Sequence, residues 1–501
     1  MLQPASLFTD GAVLCRDREI RIFGRAESGK TVTVQLRDAR GSLLAEESGT
    51  SRNGRFEIPL PPQRAQAGCT LTVSTEGERV TAEDVAVGDV YLAGGQSNME
   101  LELRNSAGGA GQVRDDPLLR FFNVPRKAFV CEEQQRAVRE TRWNPVNRET
   151  AGYNSAVASI FGQIVRTRHP EIPVGIIGCY WGGTSVTCWM DDETLGSLSE
   201  GIRYRQAYQA LCGGGKTMEQ YLAEEAAFNA YCEDWNTKAD AYRAGHPDAG
   251  WEEVQETVGR FEWNPPAGPG SPYRPAGLAD SMLAEIAPVS LTAVLFYQGE
   301  EDASRTDCYD VLMTAMIRYW RSIFRNAELP FLFVQLPMWL DNGAEDTFQW
   351  PKTRLAQAAV RDSVRNTGMI CLLDEGEYGN IHPVNKQPVG IRLAELAERM
   401  IYHGTGEVSP HAVGRFVRGN TMIVVMSAKV RTKDGEAPRL LEIAGEDGRF
   451  VPAEGEVEEG VLRIRAEQVK HPAAVRYAWC DWSDRVNLTG ENGLPLEPFA
   501  L

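Results

Sequence analysis

The run VYLAGGQSNM carries a serine, Ser97, directly after a short apolar stretch that ends in two glycines. Open parallel sheets place their ligands at the carboxyl ends of their strands. The glycines let the chain turn sharply and bring backbone N–H groups to a reacting oxygen. The turn is not a GxSxG elbow, because Met99 stands where the second glycine would be. A serine hydroxyl needs a base to take its proton, and only six histidines are present. His169 and His246 precede prolines in loops, His403 follows the last helix, and His411 and His471 fall in a β-rich C-terminal stretch. His382 alone occupies a loop after a buried-type strand, in LLDEGEYGNIHPVNK, and is the candidate base. Two further strand ends supply donors for a developing oxyanion: a glycine N–H of Trp181-Gly-Gly-Thr, after VGIIGCY, and the amide of Gln298 in Tyr297-Gln-Gly-Glu, after AVLF. Four polar strand ends converging on one sheet point to acyl transfer through serine.

The elements that must hold these residues read as α/β. VGIIGCYW, LTAVLFYQ, PFLFVQL and GMICLLD are continuous apolar strands. SAVASIFGQIVRTR and CYDVLMTAMIRYWRSIFR are amphipathic helices, the second with Tyr309, Leu312, Met316, Tyr319 and Ile323 on one face. Buried strands alternating with helices predict a mainly parallel sheet. Residues 1–86 show short alternating runs such as TVTVQLRD and FEIPL, the pattern of a β-sandwich-like module. Residues 405–501 return to that pattern (TMIVVMS, VLRIRA), after a hydrolase-type domain at 87–404. Residues 196–274 interrupt the domain with a long helix at 218–242 and the loop FEWNPPAGPGSPYRP. Two readings stay open for this insertion: part of the rim of the site, or a cap without substrate contact.

The net charge of −17 and pI near 5.0 exclude the basic face that a nucleic acid or an anionic membrane would need. No apolar run is long enough to span a bilayer. The start, MLQPASLFTDGAVLCRD, has neither a basic n-region nor an apolar h-region, so a cytoplasmic protein is expected. Ten cysteines without a CxxC pair fit reduced core residues. No HExxH or GxGxxG motif occurs, so neither a metal nor an organic cofactor is expected.

GQSNME, WGGTSVTCWM, YQGEEDA and IHPVNK, in this order, resemble the motifs of the sialate O-acetylesterase family of SGNH hydrolases. Flanking stretches such as GDVYLAGG, YRPAGLADSMLAEIAP and VRYAWCDW extend the resemblance over nearly the whole chain. The resemblance implies a flavodoxin-like hydrolase domain, with Ser97 as nucleophile and His382 as base. It implies an oxyanion hole of the Ser97 N–H, Gly182 in preference to Gly183, and the Gln298 side chain in place of the superfamily's usual asparagine. Glu300, in the QGE motif, would brace the site. Trp181 and Trp189 would offer a flat wall to a sugar, and Arg104 would clamp a carboxylate. The implied substrate is a small O-acetylated sugar, sialic acid first and xylan or mannan fragments second. A non-catalytic carbohydrate-binding protein is the competing class.

One position departs from the pattern. The superfamily's aspartate three residues before the histidine is Gly379 here, followed by Asn380 where relatives commonly carry aspartate. Either a backbone carbonyl near Gly379 or Asn380 orients the imidazole, or Asp374 or Glu377 folds back onto it.

Overall fold

The strand leading to Ser97 runs through 18 residues, Glu78–Gly95. Every residue from Val85 to Gly95 is buried, whereas most of Glu78–Asp84 is exposed. The composition explains the change, because Val, Ala, Leu and Gly fill the second half and Asp89 is its one charge. Asp89 is held by the Arg16 guanidinium at 2.9 Å and the Tyr402 hydroxyl at 2.7 Å. The computed structural model describes residues 1–213, 215–246, 249–458 and 460–501.

The second half of this strand is central in a large mixed sheet. Across it the order is Asn144–Val146, Asp116–Asn123, Val174–Tyr180, Glu78–Gly95, Ala293–Tyr297, Phe331–Val334 and Thr367–Ile370. All neighbours pair in parallel except the antiparallel edge strand Asn144–Val146. Successive residues point to opposite faces, and both faces are covered. Val90, Leu92, Ile177 and Phe296 pack into one core, and Tyr91, Ala93, Ile176 and Leu295 into the other. This is why the strands read as unbroken apolar runs rather than as alternation.

The helix Tyr309–Ile323 covers the first face, burying Leu312, Met316, Ile317 and Trp320. Each such side chain contributes about 1.5–3 kcal/mol of burial before its ordering cost. The helices Ala156–Arg168 and Gln387–Met400 cover the second face.

The N-terminal strands form as the alternation predicts, for example Thr31–Arg37 with burial at every second residue. The expected boundary at 86/87, however, falls inside the continuous strand Glu78–Gly95. Its first half pairs with Gln66–Thr75, and Val13–Cys15 pairs with Ala86–Gly88. The N-terminal strands therefore share one core with the first sheet face. The C-terminal strands have their own core, which takes in Met338, Cys371 and Leu373 of the central unit. Asp481 of that module accepts from the Trp350 and Thr347 backbone N–H groups, both at 2.9 Å, fixing the loop before the helix Gln349–Ser363.

Candidate active site

Gly95 has φ +130°, and a Cβ there would stand 2.1 Å from the Tyr297 carbonyl oxygen. Only glycine fits so close an approach. The chain leaves the strand through Gln96, in extended conformation, and Ser97 opens the single helical turn Ser97–Glu100. The Ser97 N–H therefore has no acceptor within the helix. The Gln96 side-chain oxygen accepts from the Gly299 and Glu301 N–H groups, each at 3.3 Å, tying the YQGE turn to the serine turn.

His382 Nε2 lies 2.8 Å from Ser97 Oγ. The other histidines are engaged elsewhere or lie on the surface: His169 with Glu398 at 2.8 Å, His246 stacked on Tyr242, His411 with Ser427. The His382 loop is pinned at several points. Gly379 donates to the Leu340 carbonyl at 2.9 Å, and the Asn380 side-chain oxygen accepts from the His382 N–H at 3.0 Å. Burial, and secondarily the Lys386 charge, push the imidazole down to about 4. At neutral pH it is therefore uncharged and able to take a proton.

Neither carboxylate expected as an orienting group bonds to the imidazole. Asp374 is bidentate to Arg392, at 2.7 and 2.8 Å. Glu377 accepts from the Asn380 amide at 2.7 Å and the Val384 N–H at 3.3 Å. Nor does a carbonyl of Gly379 or Asn380 accept from it; among the described residues Nδ1 has no hydrogen-bond partner. Gly379 has a separate reason to be glycine. Its φ is +71°, and a Cβ there would stand 2.3 Å from the Asn342 side-chain oxygen. A side chain here would have to displace the tip of the exposed Asn342 and hold a left-handed backbone.

The expected oxyanion donors fare differently. A Cβ on Gly182 would lie 3.3 Å from the Ser97 Cβ, so this residue abuts the serine. Its N–H donates to Glu100 at 2.5 Å, and Glu100 also pairs with Arg126. The Gln298 side chain is not a free donor. Its Nε2 donates to the Thr184 carbonyl at 3.1 Å and to Asp302 at 2.7 Å, and its oxygen accepts from Tyr309 at 2.9 Å. The physical reason is Asp302, fully buried, which also draws the Ser185 and Tyr204 hydroxyls at 2.6 Å and the Val186 N–H at 2.8 Å. A buried carboxylate needs such donors, so Gln298 braces the WGGT turn from within.

Glu300 reaches Ser97's neighbour through a buried group that motif reading did not single out. Asn98 donates to Glu300 at 2.7 Å and to the Ile381 carbonyl at 3.0 Å, and accepts from Lys386 at 2.6 Å. One amide beside Ser97 thus holds the residue beside His382. Burial raises the Glu300 carboxyl above its ordinary range and pushes Lys386 down to about 8. The signal was present, since Asn98 and Lys386 lie inside GQSNME and IHPVNK.

Arg104 is bound to Glu102 at 2.6 Å and lies over the Tyr153 ring. Trp189 is wholly buried, donating to Thr184 at 3.0 Å and accepting on its carbonyl from Trp320, so it is core rather than a sugar wall. Trp181 is partly exposed and packs against the first core. Among the described residues no group of three or more His, Cys, Asp or Glu side chains could hold a metal ion, and no helix is long and apolar enough to cross a membrane.

Residues 262–395 match the family model described as carbohydrate esterase, sialic acid-specific acetylesterase. The rat sialate O-acetylesterase is 23% identical over 92% of this chain and 86% of its own length. The human enzyme is 21% identical over 92% and 84%. Among solved structures, a carbohydrate acetylesterase from Xanthomonas citri superposes with a TM-score of 0.77 at 26% identity, covering 100% of this chain and 99% of that one. The resemblance read from the motifs thus holds across the chain, and it sets aside the non-catalytic class.

Proposed function

We propose, from the premise that this chain is a carboxylic-ester hydrolase akin to the sialate O-acetylesterases, that it removes O-acetyl groups from a sugar through an acetyl-Ser97 intermediate. The observation that carries this reading is the 2.8 Å contact between Ser97 Oγ and His382 Nε2. That contact lies at the carboxyl end of the central strand, where neighbouring strands run to either side. Numbered in chain order, the six parallel strands follow the order 2-3-1-4-5-6, with Glu78–Gly95 first. The chain leaves Glu78–Gly95 in opposite directions on its two sides, the switch point at which an open parallel sheet holds its ligand, and this supports an SGNH-type hydrolase domain.

In the reaction, His382 Nε2 takes the Ser97 proton as Oγ bonds to the acetyl carbon. The carbonyl oxygen becomes an oxyanion beside the Ser97 and Gly182 N–H groups. For Gly182 this requires the Glu100 carboxylate to withdraw onto Arg126. Collapse breaks the bond to the sugar oxygen, which leaves with the proton from His382. Water then adds to the acetyl carbon as its proton passes to His382, and collapse breaks the bond to Ser97 Oγ, which takes that proton back as acetate leaves. No carboxylate supports the imidazolium here. Lowering its pKa from 6.5 to about 4 makes the charged form roughly 3 kcal/mol more costly. Ser97 and His382 act as a dyad, with Asn98 and Asn380 holding the loop in the place of an aspartate.

The substrate we favour is O-acetylated sialic acid. Neutral acetylated xylo- or manno-oligosaccharides are the second reading. They are favoured by the pairing of Arg104 with Glu102 and of Arg126 with Glu100, which leaves neither guanidinium free for a sialate carboxylate. Acetate release from 9-O-acetylated sialic acid, and from acetylated xylo- and manno-oligosaccharides, is measured for wild type and Ser97→Ala. Release from any of these by wild type alone is expected. Release by neither protein from any of them overturns the sugar-esterase reading.

A further inference from the structure

The insertion helix Met218–Gly245 begins at a capping box formed by Thr217 and Gln220. It buries Tyr221, Trp235 and Ala239 on one face. From it an aromatic ladder runs toward the candidate site. Trp235 meets Phe261 at 5.0 Å between ring centroids, Phe228 meets Trp263 edge-on at 5.6 Å, and Trp263 meets Tyr273 edge-on at 6.1 Å. The ladder ends on the WGGT turn. A Cβ on Gly183 would stand 3.2 Å from Tyr273 Cε1 and 3.6 Å from Trp263 Cζ2, and Gly183 has φ +69°. The preceding residue, Gly182, abuts Ser97. Two consecutive residues, about 3.8 Å apart at Cα, therefore touch the nucleophile and the indole.

Trp263 is nonetheless 54% exposed. Rings on the ladder fix its edges, and its indole N–H has no hydrogen-bond partner among the described residues. A rigid, half-open indole beside a nucleophile is a surface built for an amphipathic ring with an apolar face and hydroxyl edges. We propose that Trp263 is the platform on which the pyranose ring of the acetylated substrate stacks, so that the insertion selects sugar esters over other acetates. This rests on the sugar-esterase reading above. It also decides between the two readings of residues 196–274 in favour of the rim. Stacking on the ring, remote from the reacting carbonyl, binds ground and transition states alike and acts on KM rather than kcat.

The test compares wild type, Trp263→Ala and Trp263→Phe on an acetylated sugar that wild type cleaves and on ethyl acetate, which has no ring. Trp263→Ala is expected to raise KM for the sugar about tenfold, with kcat and ethyl acetate turnover within twofold of wild type. Trp263→Phe is expected to recover most of the loss. Titrating the deacetylated sugar into Ser97→Ala should quench tryptophan fluorescence, and the quench should vanish when Trp263→Phe is added. An unchanged KM for the sugar, or an equal loss on both substrates, overturns the platform alone. A wild type that cleaves ethyl acetate but no acetylated sugar overturns the sugar-esterase reading and the platform with it.

Discussion

Replacing Asn98 with alanine removes three hydrogen bonds at once from a fully buried position. Two of them join charged partners, Glu300 and Lys386. Such bonds contribute about 1.5–3 kcal/mol each, and the one to the Ile381 carbonyl about 1 kcal/mol. The simple total is about 4–7 kcal/mol. Relaxation of Lys386 toward Glu300, whose opposite charges already act on each other, returns part of it. We expect a net loss of about 3–5 kcal/mol, the usual cost of leaving buried charges without partners. Urea unfolding of the variant beside wild type reads it. The freed Ile381 carbonyl also lets His382 drift, and a displacement on the order of 1 Å costs about 100-fold in rate. Asn98→Asp is expected to do worse than alanine at neutral pH, because it places a second carboxylate against Glu300 and donates to neither partner. If Asn98→Ala loses less than about 1 kcal/mol and keeps kcat within twofold, this amide does not hold Ser97 and His382 together.

With His382 at about 4, kcat/KM should hold level from neutral pH down to pH 5 and fall by half near pH 4. Lys386→Met removes the positive charge beside the imidazole and should move that acid limb upward. The same depressed pKa implies that, below pH 6.5, the unfolded chain binds a proton that the folded chain refuses. Stability from this group therefore falls from pH 6.5 down to about pH 4, by roughly 3 kcal/mol in urea titrations at stepped pH. Asp374→Asn and Glu377→Gln should each retain kcat/KM within about threefold, since neither carboxylate touches the imidazole. Asp374→Asn should still lose about 1.5–3 kcal/mol of stability, because it removes the bidentate carboxylate from the buried Arg392 and leaves it Glu375 at 3.2 Å. Gly379→Asp should not speed the reaction. It meets Asn342 and a left-handed backbone, costing at least about 1–2 kcal/mol in thermal or urea unfolding.

Ser97 was legible because it sits just past a run of apolar residues that no surface loop would carry, and His382 because it lies in the loop that follows such a run and so few histidines compete. The parallel sheet was legible for the same reason, since strands buried on both faces leave unbroken apolar runs. The role of Gln298 was not. The direction in which an amide donates depends on its neighbours, and in YQGEED the buried Asp302 looks no different from the exposed Glu301 beside it. The N-terminal boundary was hidden because one strand serves two units, and nothing in VTAEDVAVGDVYLA marks where one ends. The reach of the insertion was hidden too. Contact between Trp263 and Gly183 is tertiary, and neither stretch carries a local trace of the other.

Labelling with a fluorophosphonate, followed by peptide mass spectrometry, tests the central claim most directly. A single adduct on Ser97 is expected in wild type, in Asp374→Asn and in Glu377→Gln, with none in Ser97→Ala and strongly slowed labelling in His382→Ala. An adduct that persists in Ser97→Ala, or labelling that collapses when Asp374 or Glu377 is replaced, would contradict a Ser97–His382 dyad working without a carboxylate.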